Sequence, residues 1–362
     1  MSLKMYEMRI ARVQEKLKKR GFLATVVSEE VSVEYLIDRH ISHLGERLMA
    51  LMIPAEGKPV LFINALFPIA ESPLFDIVYH SDSDVATKDL AAALPSGIIG
   101  IDRFLMAQFL IELLEARGDI TPKVGSFAVE EVRMIKDSFE QDAMRKASKI
   151  CDDVFSHIPG LLKEGMTELE LAEEIRQLFF TLGDPRGPVE PLVCFDAGSA
   201  EPHHTNNETQ LKAGDVVLID AGQTTFGYTS DMTRTFFYQS ITEEQKKVYE
   251  IVCEANRLAR EKIAPGIPFS EVDAAARDYI TKMGYGEYFT HRTGHNIGRQ
   301  MHEEPSVSAV NHMPIEAGMT FSIEPGIYML GKFGVRIEDI VLVTENGAET
   351  LNAYSKEIQV IG

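Results

Sequence analysis

The sequence predicts a protein of two domains, an α/β N-terminal domain followed by an α+β domain with pseudo-two-fold symmetry. Its 362 residues exceed the size of one small core, since domains usually contain about 100–200 residues. Strand and helix patterns alternate in the first third of the chain, and a helix-helix-strand pattern then occurs twice. We therefore predict domains over residues 1–127 and 128–362.

The N-terminal domain begins with a predicted amphipathic helix. Apolar residues recur at helical spacing through the first 22 residues, from Met5 and Met8 to Leu17. Short apolar runs bounded by turn residues then predict strands, and a later apolar pattern predicts a helix. The strands are "FLATVVS" (22–28), "LMALMIP" (48–54), "PVLFINA" (59–65) and "IIGID" (98–102), and the helix is "LMAQFLIELLEARG" (105–118). The Pro- and Gly-containing stretch "TPKVGSF" (121–127) is interpreted as the approach to the domain boundary.

The second domain is predicted from a weak internal repeat. In "KEGMTELELAEEI" (163–175) and "APGIPFSEVDAAA" (264–276), a Gly turn precedes a Thr167 or Ser270 N-cap with an acid three residues later. Long helical patterns over 137–158 and 242–263 come before these segments, and strand-rich sequence follows each of them. Two such halves predict a pseudo-symmetric domain with a site at its centre.

Composition excludes several classes of function. The chain has 36 Lys and Arg against 55 Asp and Glu, a formal charge of −19, which repels phosphate backbones and anionic membranes. The three cysteines are far apart and form no C-x-x-C motif, so neither a disulfide framework nor a zinc knuckle is predicted. The acidic charge argues against nucleic acid as a partner. No apolar run approaches about 18 residues, so no membrane span is expected, and with the cysteine pattern this favours a cytoplasmic protein without a membrane partner.

The first candidate site residues are Asp220 and Asp231, in "LIDAGQTTFGYTSDMTRTFF". The intervening "GQTTFG" has the composition of a turn, and a hairpin would bring both carboxylates to one face. Acids near hairpin turns are more often solvated or turn-capping. Here, however, the flanking runs are apolar, where a half-buried carboxylate needs a cation or strong hydrogen-bond donors.

Two further clusters follow. "HRTGHNIGRQMHEEP" holds His291, His295 and His302, and three of the chain's 10 histidines so close together favour a metal or acid–base site. Glu324 and Glu338 lie in the apolar strand patterns "FSIEPGIYM" and "GVRIEDIVLVT". Arg336 shares a face with Glu338 on a period of two. A surface ion pair is the simpler interpretation, but the apolar neighbours indicate burial.

Four acids and several histidines in one domain suggest a single explanation, two divalent metals bridged by carboxylates with one imidazole ligand. Ligands rich in oxygen and poor in nitrogen suit Mn²⁺, Co²⁺ or Zn²⁺. A pair of ions about 3.5–4 Å apart can acidify a bridging water and polarise a carbonyl, which is hydrolytic chemistry.

The motifs "LIDAG", "SDMTRTF", "HRTGH", "IEPG" and "RIED", in this order, resemble the pita-bread metallopeptidases: prolidases, aminopeptidase P, methionine aminopeptidase and creatinase. The resemblance covers about residues 130 to 362. It implies the pita-bread fold, a homodimer and two divalent ions, with manganese preferred over cobalt or zinc. It also implies the ligand set: Asp220 and Asp231 bind metal, Asp231 chiefly one ion, while His295 and Glu324 hold the other ion and Glu338 bridges. Glu324 would also handle the proton of the attacking water.

The resemblance implies other catalytic residues as well. His203 in "EPHHTN" matches the histidine that contacts substrate, with His204 beside it as the competing candidate. His291 and His302 resemble the flanking histidines that contact substrate and steady the tetrahedral intermediate, and Arg336 resembles the arginine that orients the metal-binding carboxylates.

Two features narrow the predicted activity. The N-terminal domain argues against a methionine aminopeptidase, since those enzymes generally lack it. The complete metal-ligand set argues against a creatinase, which works without it. The protein is therefore predicted to be an Xaa-Pro dipeptidase or an Xaa-Pro aminopeptidase. Its predicted substrate is a small peptide, which it cuts at the bond before proline. Two departures leave alternatives open. "GHNIGRQMHE" has Asn296, Arg299 and Gln300 where relatives usually carry Gly, an apolar residue and an acid, and segment 33–49 lacks the usual Tyr-Leu-Thr-Gly pattern. The alternatives are a hydrolase of a small non-peptide amide and an inactive binding protein of the same fold.

Overall fold

The computed structural model describes residues 3–37, 39–41, 44–185, 187 and 190–362. Three residues of the segment that lacks the Tyr-Leu-Thr-Gly pattern, at positions 38, 42 and 43, lie outside this range, as do the first two of the chain. The protein divides into two compact units, Met1–Arg133 and Met134–Gly362. Among the described residues, none of the helices is long and apolar enough to cross a membrane.

The first unit is a six-stranded mixed sheet with helices. The strands run in the order β4-β3-β2-β1-β5-β6, with β1–β2 and β2–β3 antiparallel and the other neighbours parallel. The helices are α1 (Leu3–Lys19), α2 (Glu30–Ile37), α3 (Lys88–Ala93), α4 (Ala107–Ala116) and α5 (Phe127–Arg133). The strands are β1 (Ala24–Val27), β2 (Met49–Pro54), β3 (Val60–Asn64), β4 (Asp76–His80), β5 (Gly97–Ile101) and β6 (Ile120–Val124).

All four predicted strands of this unit are present, but the two edge strands were not predicted. The first half of "TPKVGSF", interpreted from the sequence only as the approach to the domain boundary, forms most of β6, paired with β5. Proline is compatible with a strand at the edge of a sheet, where its missing N–H faces no partner. Both β4 and β6 expose much of their surface, so their sequences lack the apolar runs by which buried strands are recognised.

The second unit has two halves, each with two long helices packed on a sheet that is antiparallel except for the parallel pairing of β19 with β11 in the first half. One sheet runs β19-β11-β8-β7 and the other β13-β12-β14-β17-β18. The helices are α6 (Ser138–His157), α7 (Glu168–Leu182), α8 (Glu243–Lys262) and α9 (Phe269–Lys282). The strands of the first half are β7 (Leu192–Phe195), β8 (Val216–Ala221), β9 (Thr224–Thr225), β10 (Tyr228–Thr229) and β11 (Met232–Tyr238). The remaining strands are β12 (Gly294–Asn296), β13 (Glu303–Val307), β14 (Thr320–Ile323), β15 (Gly326–Met329), β16 (Phe333–Arg336), β17 (Asp339–Thr344), β18 (Gly347–Thr350) and β19 (Val360–Ile361).

The predicted internal repeat corresponds to matching local structure in the two halves. The N-cap of α7, Thr167, forms a β-bridge with Gln210, and the N-cap of α9, Pro268, forms one with Pro314. Each half also has its own apolar core, under α6 and α7 in one and under α8 and α9 in the other. The pseudo-two-fold arrangement therefore extends from the helix starts to the packing of each sheet.

Of the two predicted N-caps, Thr167 is confirmed and Ser270 is not. Thr167 and Thr242 each accept the backbone N–H three residues on, in complete capping boxes. The prediction of Ser270 as an N-cap is wrong, because α9 begins at Phe269 with Pro268 as its N-cap. The Ser270 hydroxyl instead lies 3.0 Å from Nδ1 of His312.

Candidate metal centre and active site

The hairpin predicted around Asp220 and Asp231 is formed by β8 and β11. Asp220 pairs with Thr233 across the antiparallel ladder, and Asp231 immediately precedes β11. Because residues two apart on a strand share a face, Asp231 and Asp220 project to the same side. Gly222 permits the close approach of the two arms of the hairpin, since a Cβ there would lie 1.9 Å from the carbonyl oxygen of Ser230.

The second half contributes the other acids and the histidine. His295 is the central residue of β12, Glu324 follows β14, and Glu338 precedes β17. Gly294 lies against β14 in the same way as Gly222 lies against its partner, because a Cβ there would be 1.9 Å from the carbonyl oxygen of Ser322. A glycine thus allows close backbone approach beside a candidate ligand in each half.

These side chains line one cavity of about 270 Å³. Nε2 of His295 is 3.7 Å from Oδ2 of Asp231 and 3.4 Å from Oε1 of Glu324. Ligand atoms of Asp231, His295 and Glu338 all lie within 4.8 Å of one another. The cavity wall is formed by Leu192, Pro202, His203, Asp220, Asp231, His291, Arg292, His295, Met301, His302, Glu324, Arg336 and Glu338.

Hydrogen bonds from the surroundings orient the candidate ligands. Nδ1 of His295 lies 3.1 Å from the carbonyl oxygen of Asn296. A proton on Nδ1 would be donated there, which leaves Nε2 with a lone pair directed at the carboxylates. Thr233 donates its hydroxyl to Oε2 of Glu338 at 2.7 Å, and Arg336 donates to Oδ2 of Asp220 at 2.7 Å. The expected surface ion pair of Arg336 with Glu338 is thus replaced by a pair between the buried Arg336 and the partly exposed Asp220.

The side chains around the acids carry too little positive charge to balance the charge of the carboxylates. Burial, followed by repulsion from neighbouring carboxylates, raises the pKa of both Asp231 and Glu338 well above the usual range. Burial likewise raises the pKa of Glu324 to about 7, although Arg336 opposes the shift. Burial lowers the pKa of His295 to about 3, which keeps the imidazole neutral. Bound cations would favour all of these deprotonated forms.

The cavity histidines have different environments. His203 lines the cavity, whereas His204 points to Oε2 of Glu168, with 2.8 Å between nitrogen and oxygen. His302 packs edge-on against His295, with ring centroids 4.2 Å apart. Between the two histidine candidates, the structure therefore places His203 at the cavity.

His291 is connected to Asp220 through the side chains of Tyr328 and Arg336. Nε2 of His291 is 2.8 Å from the hydroxyl of Tyr328, which accepts a bond of 3.0 Å from Arg336. Arg336 in turn pairs with Asp220. Sequence reasoning did not identify Tyr328, because an apolar strand pattern gives no signal for a hydroxyl that bonds to cavity side chains. Thr233 had a detectable signal, since it lies two residues after Asp231 on the same face of a strand.

The comparison with known proteins now decides the family. The sequence profile of metallopeptidase family M24 matches residues 142–345, and that of the creatinase/prolidase N-terminal domain matches residues 9–135. The chain belongs to metallopeptidase family M24. The predicted family and fold class are thereby confirmed, and membership implies a divalent metal and a peptide substrate.

Relatives in this M24 family match over almost the whole chain. The probable dipeptidase PepE of Mycobacterium tuberculosis is 34% identical over 368 residues, which cover 98% of this chain and 96% of that protein. The structure of dipeptidase PepE from Mycobacterium ulcerans is similar with a TM-score of 0.94 and 34% identity, covering 100% of this chain and 99% of the other. A recombinant prolidase from Thermococcus sibiricus has a TM-score of 0.90 and 36% identity, covering 98% and 99%.

The donor set fits divalent cations. Oε1 of Glu338 is buried without a hydrogen-bond partner among the described residues, while Oε2 is held by Thr233. A buried carboxylate oxygen with no donor is costly unless a cation binds it. Carboxylates with one neutral imidazole are the ligands expected for a hydrolytic site of an M24 enzyme.

The three departures from the usual family motif do not lie in the cavity wall. The guanidinium of Arg299 lies over the ring of Tyr228, 5.8 Å from its centroid. Asn296 is buried and donates its amide to the carbonyl oxygen of Pro305. The backbone N–H of Gln300 bonds to Oε1 of Glu303. The departures thus belong to the packing of β12 and of the segment that follows it.

Proposed function

We propose that this protein hydrolyses the peptide bond that precedes proline, in Xaa-Pro dipeptides or short Xaa-Pro peptides. The observation that carries the proposal is the convergence of Asp220, Asp231, His295, Glu324 and Glu338 with three further histidines on one cavity. The similarity to a solved prolidase at 36% identity supports the choice of substrate.

We assign the metal ligands residue by residue. Asp220 and Asp231 would bind metal, Asp231 chiefly one ion; His295 and Glu324 would hold the other ion, and Glu338 would bridge. Two divalent ions in this site would supply an acidified water and a polarised substrate carbonyl. We prefer Mn²⁺ over Co²⁺ or Zn²⁺, since hard oxygen ligands outnumber the single imidazole.

The remaining steps belong to side chains of the cavity. Glu324 lines the cavity and its side chain is 15% exposed, so its carboxylate would be placed to accept the proton of the attacking water and return it to the proline nitrogen. His203, His291 and His302 line the cavity around the acids, where they would contact the substrate and stabilise its developing negative oxygen. Arg336 fixes Asp220 through their ion pair.

The test is proline release from Ala-Pro, alongside cleavage of Ala-Pro-Ala and Ala-Ala, with metal-stripped protein before and after addition of Mn²⁺. Metal-dependent cleavage of Ala-Pro alone would identify a dipeptidase, and cleavage of the tripeptide would identify an aminopeptidase. Failure to cleave any of the three with metal bound would refute the proposal. The amide-hydrolase alternative gains no support from Arg299 and Asn296, since neither lines the cavity.

Two further properties are proposed on the family resemblance and composition. We propose a homodimer, testable by light scattering of the purified protein at several concentrations. We propose a cytoplasmic location, with which the three free thiols of Cys151, Cys194 and Cys253 agree. A molar mass of one chain by light scattering would contradict the homodimer, and secretion of the native protein would contradict the cytoplasmic location.

A further inference from the structure

Glu168 is a buried acid that the catalytic proposal does not use. It is the first residue of α7 and its side chain has no solvent exposure. Both carboxylate oxygens accept hydrogen bonds: Oε1 from the backbone N–H of Phe195 at 2.8 Å, and Oε2 from the backbone N–H of Asn207 at 3.0 Å and from His204 at 2.8 Å. A fully buried carboxylate is costly to desolvate unless donors bond to its oxygens, and Glu168 has three such donors, all on residues 195–207.

The segment between these contacts carries two residues of the active-site cavity. Phe195 and Asn207 flank residues 196–206, and Pro202 and His203 within this segment line the cavity. His204, the residue after His203, is the side chain that Glu168 binds. Glu168 therefore fastens the segment at both ends and again next to the histidine expected to contact substrate.

The attachment is closely packed. A Cβ on Gly198 would lie 3.0 Å from Cε1 of His204 and 3.2 Å from Oε1 of Glu168. The same segment is tied to β16, since the hydroxyl of Ser199 accepts the backbone N–H of Gly334 at 2.8 Å. β16 ends at Arg336, so the segment is fixed to the element that orients the Asp220 carboxylate.

The second half of the pita-bread domain holds its own histidine segment in a comparable way. Asp273 on α9 is fully buried and accepts bonds from the hydroxyl of Thr293 at 2.7 Å and from Arg277. Arg277 also donates to the carbonyl oxygens of Phe289 and His291. In each half, a buried acid on the second helix thus fixes the segment that brings a histidine to the cavity.

We propose that Glu168, through His204, is a positioning residue that sets the place of His203 in the active site. Glu168 touches neither substrate nor metal. It acts through His204, which binds Glu168 and is not a second histidine that contacts substrate. The inference rests on the proposed peptidase function for its kinetic test, and a second measurement makes it independent of that function.

The kinetic test is a double-mutant cycle with Glu168→Gln, His203→Ala and the combined variant. Glu168→Gln should lower kcat/KM for Ala-Pro about tenfold, because small misplacements of substrate-contacting groups are costly. It should leave the Mn²⁺ affinity, measured by calorimetry, unchanged within about twofold, since none of its bonds reaches a proposed ligand. In the His203→Ala background the same change should have almost no effect. Additive losses, or a loss of metal affinity equal to the loss of activity, would overturn the proposal.

The matched control is Glu170→Gln on the same helix. Glu170 accepts the backbone N–H of Thr167 in the capping box and is exposed, and glutamine can fill that role. This variant should keep the activity of the parent protein. Circular dichroism checks the folding of each variant. If Glu168→Gln does not fold, His204→Ala takes its place in the cycle, because it removes the contact and leaves both backbone bonds of Glu168.

A spectroscopic measurement tests the proposal without any substrate. The ring ¹H–¹⁵N signals of His203, assigned by comparison with His203→Ala, should shift in Glu168→Gln and stay in place in Glu170→Gln. Absence of Ala-Pro cleavage in the parent protein would refute the proposed function alone. An unchanged His203 signal in folded Glu168→Gln would refute the positioning role alone.

Discussion

Thr233 connects the two halves of the proposed metal centre, and its hydroxyl is the most informative group to remove. It donates to Oε2 of Glu338 at 2.7 Å and accepts a bond of 3.0 Å from Nε of Arg336. The residue has no exposed surface and stands opposite Asp220 in the hairpin. Thr233→Val keeps the shape of the side chain, so that it removes the two bonds with little change in packing.

The expected magnitude follows from these two bonds. Hydrogen bonds to charged groups contribute about 1.5–3 kcal/mol each to stability. In the metal-free protein the raised pKa of Glu338 favours the neutral carboxyl, so we expect a loss of about 1–3 kcal/mol in the free energy of unfolding. Loss of a group that orients a metal ligand usually weakens metal binding by about 10–100-fold. The Mn²⁺ affinity should fall by that factor, equivalent to about 1.4–2.8 kcal/mol.

The control is Thr235→Val, on the same face two residues along β11. Its hydroxyl donates to the carbonyl oxygen of Arg336 at 2.9 Å and accepts the Arg336 backbone N–H. Urea unfolding of the metal-free variants should show losses of similar size for both. Calorimetric titration with Mn²⁺ should show weakened binding for Thr233→Val alone. Equal metal affinities in the two variants would refute the argument that the Thr233 hydroxyl orients Glu338.

Further predictions concern chemistry and stability. Glu324→Gln should reduce turnover of Ala-Pro by at least about 100-fold, because it removes a proposed ligand and proton acceptor, and near-normal turnover would exclude that role. Gly222→Ala should destabilise the protein by about 1–3 kcal/mol or more, since the new Cβ would meet the Ser230 carbonyl oxygen; an unchanged urea midpoint would show that the hairpin can relax. Arg234→Met should cost about 3–5 kcal/mol, because the buried guanidinium pairs with Asp339 and bonds four carbonyl oxygens, and a cost below about 1 kcal/mol in urea unfolding would contradict this estimate.

Much of the candidate site could be predicted from the sequence because its residues lie in short, chemically distinctive motifs. Asp220 and Asp231 stand in apolar strands around a turn, and this local pattern is enough to predict a hairpin with both acids on one face. The family resemblance added the expected role of each ligand. The structure brings the acids and His295 to one cavity, while their binding of metal stays a prediction for the experiments above.

The sequence did not distinguish groups whose meaning depends on distant partners. His203 and His204 are adjacent and chemically identical. The structure distinguishes them, because His204 contacts the buried Glu168 whereas His203 lines the cavity. The prediction of Ser270 as an N-cap was wrong for a similar reason, since a Ser with an acid three residues later fits a capping box by composition. In the fold that acid, Asp273, pairs with Arg277 instead.

What the sequence by itself determined is the fold class, the family and the set of candidate ligands, since periodicity, turn residues and local motifs depend on neighbours along the chain. Only the tertiary structure decided that Arg336 pairs with Asp220, that Tyr328 connects Arg336 with His291, and that Arg299 lies over Tyr228 away from the cavity wall. These contacts join residues from different strands and loops. Their energies depend on distance and burial, which are fixed only when the two halves of the domain fold around the site.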